Sequence, residues 1–166
     1  GRINQLTVNP EDGGFALLRN DAGESIQVAL PARGRTIRAQ VWVRVYDSAH
    51  VFLLDPNIEA NAEADRQISA YLYPPEPEVK LLQSFLLGMG GVQLLKQLGL
   101  QPSVYHLNEG HTAMAILGVA AQYLTEHPET AGLSAAIEKI RPQVVGTKHT
   151  ILPAAGLFIG KQQLEE

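Results

Sequence analysis

Val104-Tyr105-His106-Leu107-Asn108-Glu109-Gly110-His111 joins a short apolar run to a polar turn, and an apolar helical pattern over residues 112–124 follows at once. This order predicts a buried strand, a tight turn and a helix. A second apolar run, Val144-Val145-Gly146-Thr147, ends in Lys148-His149-Thr150. Enough chain separates the two runs for a helical crossover, which favours two parallel strands whose polar ends meet at one edge of a sheet.

The first third of the chain predicts antiparallel β-structure. Residues 36–45 alternate apolar and polar side chains, as a strand with one exposed face does. Turn signals separate this strand from shorter strand patterns over residues 15–18, 25–30 and 51–54. The sequence therefore predicts an α/β fold, in which an antiparallel β-meander is followed by a Rossmann-like βαβ region.

A proline-rich segment, Tyr73-Pro74-Pro75-Glu76-Pro77, interrupts the chain because prolines remove backbone donors and fix φ. We divide the chain into a β-rich part (1–58), a linker with a short helix (59–77) and a helix-and-strand part (78–166). In the linker, Ile68 and Leu72 are expected on the inner face of the short helix.

The longest helical pattern covers residues 78–98 and contains Gly88, Gly90 and Gly91. No strand precedes these glycines, and Gln93 stands where a dinucleotide-binding fingerprint has its third glycine. Each glycine costs a helix interior about 1 kcal/mol relative to alanine. We therefore interpret the three as sites of close backbone packing rather than as a nucleotide site.

Composition narrows the class of protein. The 166 residues carry a net charge of −4 and no basic cluster, which argues against nucleic acid as a partner. There is no cysteine, so disulfides, zinc-thiolate sites and thiol nucleophiles are excluded. No apolar run has the roughly 18 residues of a membrane span, and we expect a cytoplasmic protein without a membrane partner.

The chain begins Gly-Arg, and we expect it to be a piece of a longer protein.

The polar residues at the two strand ends are the candidate site: Asn108, Glu109, His111, His149 and Thr150. Together they offer the directional donors and acceptors that a sugar requires. The alternative is structural, because Asn108 could cap the following helix and Glu109 could stabilise its first turn. Spacing alone does not decide between the two.

Two other kinds of site are disfavoured. His106, Glu109 and His111 lack the spacing of a metal-binding helix face, so we predict no metal. His106 is expected to point away from Glu109 or into the core. No Ser-His-Asp arrangement with a nucleophile elbow is visible.

Four ordered stretches resemble one family. Residues 106–111 resemble the His-Leu-Asn-Glu-Gly-His motif of the α-glucan phosphorylases, which act on glycogen, starch or maltodextrin, and residues 148–153 resemble their Thr/Asn-His-Thr-x-x-Pro motif. Residues 53–58 are similar to the family's Leu-Leu-Asp-Thr-Asn-Ile segment, and residues 87–92 to its Leu-Gly-Ile-Gly-Gly-Val helix. The resemblance covers nearly the whole chain.

The resemblance implies a two-lobed glycosyltransferase that transfers the terminal glucose of an α-1,4-glucan to phosphate, giving glucose 1-phosphate. This chain would belong to the N-terminal lobe, with the C-terminal lobe as its partner. The lysine that holds pyridoxal phosphate would lie beyond Glu166. Asn108 and Glu109 match positions that border the glucose, and His149 matches one that contacts it. Thr150 matches the neighbour of that position, and His111 matches the motif's histidine. None of the five matches a catalytic acid or base.

Such a piece is expected to be inactive alone, and its lobe-facing surface could support a homo-oligomer. Two alternatives stay open. One is a lobe of a glycosyltransferase that uses a nucleotide-sugar donor, and the other is a non-catalytic carbohydrate-binding domain.

Overall fold

The structure is a computed structural model and describes residues 9–32 and 34–149. Contacts divide the chain into two units, Gly1–Pro74 and Pro75–Glu166, and the boundary falls inside the proline-rich segment. Within the described part, no helix has both the length and the apolar character needed to cross a membrane.

The first unit contains a four-stranded antiparallel sheet. Its longest strand pairs with each of the other three. Alternation is confirmed in the first part of this strand, because Ile37, Ala39 and Val41 are buried whereas Arg38 is exposed and Gln40 is half-buried. The strands are β1 (Ala16–Leu17), β2 (Gln27–Ala32), β3 (Arg35–Tyr46) and β4 (Ala49–Asp55).

A short helix, α1 (Glu63–Arg66), follows this sheet. Its Asp65 forms a two-bond ion pair with Arg35 of β3, at 2.7 and 2.8 Å. Ile68 is buried as predicted, but the prediction for Leu72 is wrong, since that side chain is 63% exposed. The reason is that the helix ends at Arg66, so no helical periodicity carries Leu72 to the face of Ile68.

The second unit begins with a helical segment that the sequence predicts as one helix. The structure divides it into α2 (Pro77–Phe85), a π-helical turn (Leu86–Gly90) and α3 (Gly91–Gln97). A Cβ on Gly88 would lie 2.4 Å from the backbone nitrogen of Ala115, so close packing is confirmed there. For Gly91 the packing prediction is wrong, because nothing lies within 4 Å of its would-be Cβ.

Two parallel strands and two helices complete this unit: β5 (Tyr105–Asn108), α4 (Met114–Glu126), α5 (Leu133–Ile140) and β6 (Val144–Thr147). The helices form the predicted crossover between the strands, and Asn108 is in register with Thr147. Tyr105, Leu107 and Val144 pack on a core of Val92, Ala115, Val119, Ala120, Ala136 and Ile140. The opposite face of the sheet carries exposed side chains. Polar residues on that face at the strand ends are therefore accessible.

The chain is therefore a mixed α/β structure with an antiparallel sheet followed by a parallel pair.

Candidate functional site

The site is built at the carboxyl ends of β5 and β6. Pairing continues one residue past β5, because the backbone N–H of Glu109 donates to the carbonyl of Thr147 at 2.8 Å. The chain then turns sharply, and Glu109 has φ +65° and ψ 173°. Residues other than glycine rarely adopt this conformation, which costs of order 1–3 kcal/mol. The Thr112 hydroxyl donates to the Glu109 carbonyl at 2.8 Å and so supports the turn.

Two side chains from the end of β5 hold His149, which follows β6. Oε1 of Glu109 accepts the backbone N–H of His149 at 2.7 Å. Oδ1 of Asn108 lies 3.0 Å from Nε2 of the His149 ring. An amide oxygen can only accept, so Nε2 supplies the hydrogen of this bond. Glu109 and His149 therefore lie side by side, and the two hydrogen bonds hold His149 in place.

A second cross-strand pair lies next to the first on the same face. Nε2 of His106 and Oγ1 of Thr147 are hydrogen-bonded at 2.6 Å. His106 is exposed, so the expectation that it points into the core is wrong. His106 and Thr147 are not among the candidate residues predicted from the sequence. The alternation of strand side chains could have found them, because residues 106 and 108 share one face of β5, as 147 and 149 share that of β6.

The capping interpretation of Asn108 is wrong. Helix α4 has Ala113 at its N-cap, with no side-chain capping bond. The Asn108 amide and the Glu109 carboxylate face His149 instead. These two side chains therefore join the strand ends and do not cap helix α4.

The remaining candidates are less closely tied to this group. His111 is exposed on the short 3-10 turn Gly110–Thr112 that precedes α4. Thr150 lies outside the described residues. Among those that are described, no group of three or more His, Cys, Asp or Glu side chains could hold a metal ion.

Chemically, the two strand ends present one carboxylate, one amide, one hydroxyl and two imidazoles. Such a mixture can both donate and accept hydrogen bonds in fixed directions, which is how proteins recognise hydroxyl-rich ligands. The Thr147 hydroxyl is already hydrogen-bonded to the His106 imidazole, and the remaining groups offer donors and acceptors in fixed directions. The group is therefore suited to holding a ligand.

Comparison with characterised proteins finds phosphorylases that are similar to this chain. The maltodextrin phosphorylase of Thermococcus litoralis is 34% identical over 148 residues, which are 88% of this chain and 17% of that protein. The glycogen phosphorylase of Aquifex aeolicus is 31% identical over 80% of this chain and 19% of its own length. That of Mycobacterium tuberculosis is 29% identical over 89% of this chain and 18% of its own length.

More particularly, the chain is similar to one stretch of the maltodextrin and glycogen phosphorylases, and the resemblance seen in its motifs is confirmed. It spans less than a fifth of the length of these three relatives. No family model matches the chain. No solved structure matches it either.

Proposed function

We propose that this chain forms part of the N-terminal lobe of a two-lobed α-glucan phosphorylase. The whole protein would transfer the terminal glucose of an α-1,4-glucan to phosphate and release glucose 1-phosphate. The observation that carries the proposal is the pairing of Glu109 and His149 at one sheet edge. The names of the relatives support the choice of glucan and phosphate as substrates.

In this proposal Asn108, Glu109, His111, His149 and Thr150 line the glucose side of the active site. Glycosyl transfer passes through a transition state in which positive charge develops on the sugar ring. A carboxylate held beside the ring stabilises that charge without having to reorganise. The Glu109 carboxylate is held by the His149 backbone N–H, so its role is electrostatic and positional.

The family resemblance implies pyridoxal phosphate in the whole protein, and the described residues do not form its site. That cofactor needs an imine-forming lysine and several donors for its phosphate. The resemblance implies that this lysine lies beyond Glu166. We therefore propose that the C-terminal lobe holds the cofactor, and we assign this chain no step that involves it.

The partner of this chain is then the C-terminal lobe, which supplies the other wall of the cleft. The 166-residue chain alone is expected to be inactive, because the family resemblance implies that the C-terminal lobe and its pyridoxal phosphate are also needed for the transfer. Purified chain incubated with maltodextrin and phosphate should release no glucose 1-phosphate. The absence of cysteine is consistent with a cytoplasmic location for the whole protein.

The decisive test uses the longest natural polypeptide that contains this sequence. It should release glucose 1-phosphate from maltodextrin and phosphate, and it should show pyridoxal absorbance. Incorporation of glucose from a nucleotide-sugar donor, without pyridoxal absorbance, would instead identify the rival glycosyltransferase. Tight binding of maltooligosaccharides by the 166-residue chain alone, if it is lost in His149→Ala, would favour a carbohydrate-binding domain, because half a cleft should bind weakly.

Variants of the same polypeptide test the role of the strand ends. Glu109→Gln removes the charge and keeps the shape, so kcat should fall about a hundredfold while the protein stays folded. Glu138→Gln is the control, since this exposed glutamate of α5 pairs with Arg141, at 3.5 Å, and should leave kcat unchanged. Equal kcat values of the two variants would show that the Glu109 charge has no role in the reaction.

A further inference from the structure

A cavity of about 320 Å³ lies at the opposite end of β5 from Asn108. Tyr105, the first residue of β5, lines it, and three residues of extended strand separate the two by about 10 Å. Val119 and Ile140, both buried, contribute an apolar floor. None of the residues lining this cavity takes part in the cluster around His149. It is therefore a separate feature of the second unit.

Aromatic rings form part of the wall. The rings of Tyr123 and His127 are packed with centroids 4.3 Å apart and a tilt of 30°. Burial raises the pKa of Tyr105 above its ordinary value, and the charge of Glu126 raises it further. The phenol thus stays protonated at neutral pH and is available as a donor.

The charges around the cavity exclude an anionic ligand. Neither lysine nor arginine occurs among the described residues that line it, and the one carboxylate is that of Glu126. Gln122 Nε2 donates to Oε1 of this carboxylate at 3.0 Å, which fixes its position. A phosphate or nucleotide would meet an uncompensated negative charge there.

The polar groups fit a neutral ligand that carries hydroxyl groups. Gln101, Gln122 and Gln143 all line the cavity, and each side-chain amide can donate as well as accept. Hydroxyl groups need both functions, and the C–H faces of a sugar ring pack well on tyrosine rings and aliphatic side chains. The volume lies at the lower end of the range for small-ligand sites, about 300–1,000 Å³.

We propose that this cavity is a second sugar-binding site, which takes a single neutral sugar ring or a disaccharide. Its amides and carboxylate bind the hydroxyl groups, and its aromatic and aliphatic walls cover the ring. The proposal does not depend on the function assigned to Asn108 and His149, because it uses none of the same residues.

The test is a titration of the full 166-residue chain with maltose, followed by amide chemical shifts. The amides of Tyr123 and Gln143 should shift and saturate. Glu126→Gln and Gln143→Ala should each weaken binding about tenfold, as expected for loss of a hydrogen bond to a charged or polar group. Both residues are exposed, so these variants should fold. Glu138→Gln is the matched control and should not change the affinity.

Three results would overturn the proposal: no saturating shifts at the cavity, unchanged affinity in both cavity variants, or saturation by tetramethylammonium but not by maltose. The last would identify a site for organic cations. The variant His149→Ala separates the two sites, because it should leave maltose binding at the cavity unchanged. Shifts confined to the surroundings of His149 would refute the cavity site and leave the proposed function standing.

Discussion

At the scale of single residues, Glu109 combines a strained backbone with a side chain that joins two strands. Its φ of +65° favours glycine, whereas its carboxylate accepts the His149 N–H. Glycine would relieve the backbone and lose the bond, and alanine would lose the bond and keep the strain. The two contributions can therefore be separated by substitution.

We predict that Glu109→Gly is more stable than Glu109→Ala by about 1 kcal/mol, because glycine adopts this conformation without cost. The free energies of unfolding of the two variants in urea provide the measurement. Glu138 is the matched control, since it lies in helix α5, where alanine should be more stable than glycine by about 1 kcal/mol. If alanine is the more stable residue at position 109 as well, the backbone of Glu109 is not strained.

Tyr105 gives a prediction on pH. Its pKa is raised in the folded protein, first by burial and then by Glu126. The folded state therefore holds the phenolic proton more tightly than the unfolded state does. Stability should fall as the pH rises from the ordinary tyrosine pKa through the raised one. Glu126→Gln should lower the pKa only in part, because burial remains.

Phenolate absorbance, taken as the difference between the protein and its Tyr105→Phe variant, follows this single group. A midpoint at or below that of an ordinary tyrosine would contradict the burial of the phenol.

At the scale of elements, local pattern predicted most strands and helices. Alternation defined β3, and the two apolar runs with their polar ends defined β5 and β6. The errors fall where local pattern is weak. Helix α1 is only four residues long, too short for periodicity to place Leu72. The π-helical turn over Leu86–Gly90 depends on how the segment meets α4, which is a tertiary contact.

The contact between this segment and α4 gives a prediction on stability. Gly88→Ala should destabilise the chain by about 3 kcal/mol, because the added methyl would overlap backbone atoms that cannot move aside. Gly91→Ala, three residues along, should stabilise it by up to about 1 kcal/mol, since its Cβ points into open space. Thermal unfolding of both variants measures the difference. A mild effect at Gly88 would show that the helices do not meet there.

At the scale of the whole molecule, the meeting of the two strand ends is the part that the sequence predicted best. Two runs with polar ends placed Asn108, Glu109 and His149 together, because parallel strands must bring their carboxyl ends to one edge. The cavity at Tyr105 was not predicted, since its walls come from separate segments around α4 and both ends of the crossover. Residues that meet only through tertiary packing leave no common pattern in the sequence.

The exposed face of the parallel pair gives the last prediction. Parallel strands are normally covered on both faces, yet Val145 of β6 is 50% exposed. We predict that the 166-residue chain self-associates through this face, so its sedimentation coefficient should rise with concentration. Val145→Lys should abolish the rise. Val51→Lys is the control, because it adds the same charge on the antiparallel sheet of the other unit, where Val51 is 38% exposed. A chain that sediments as a monomer at every concentration would show that it does not self-associate. Equal effects of the two lysine substitutions would show that another surface is responsible.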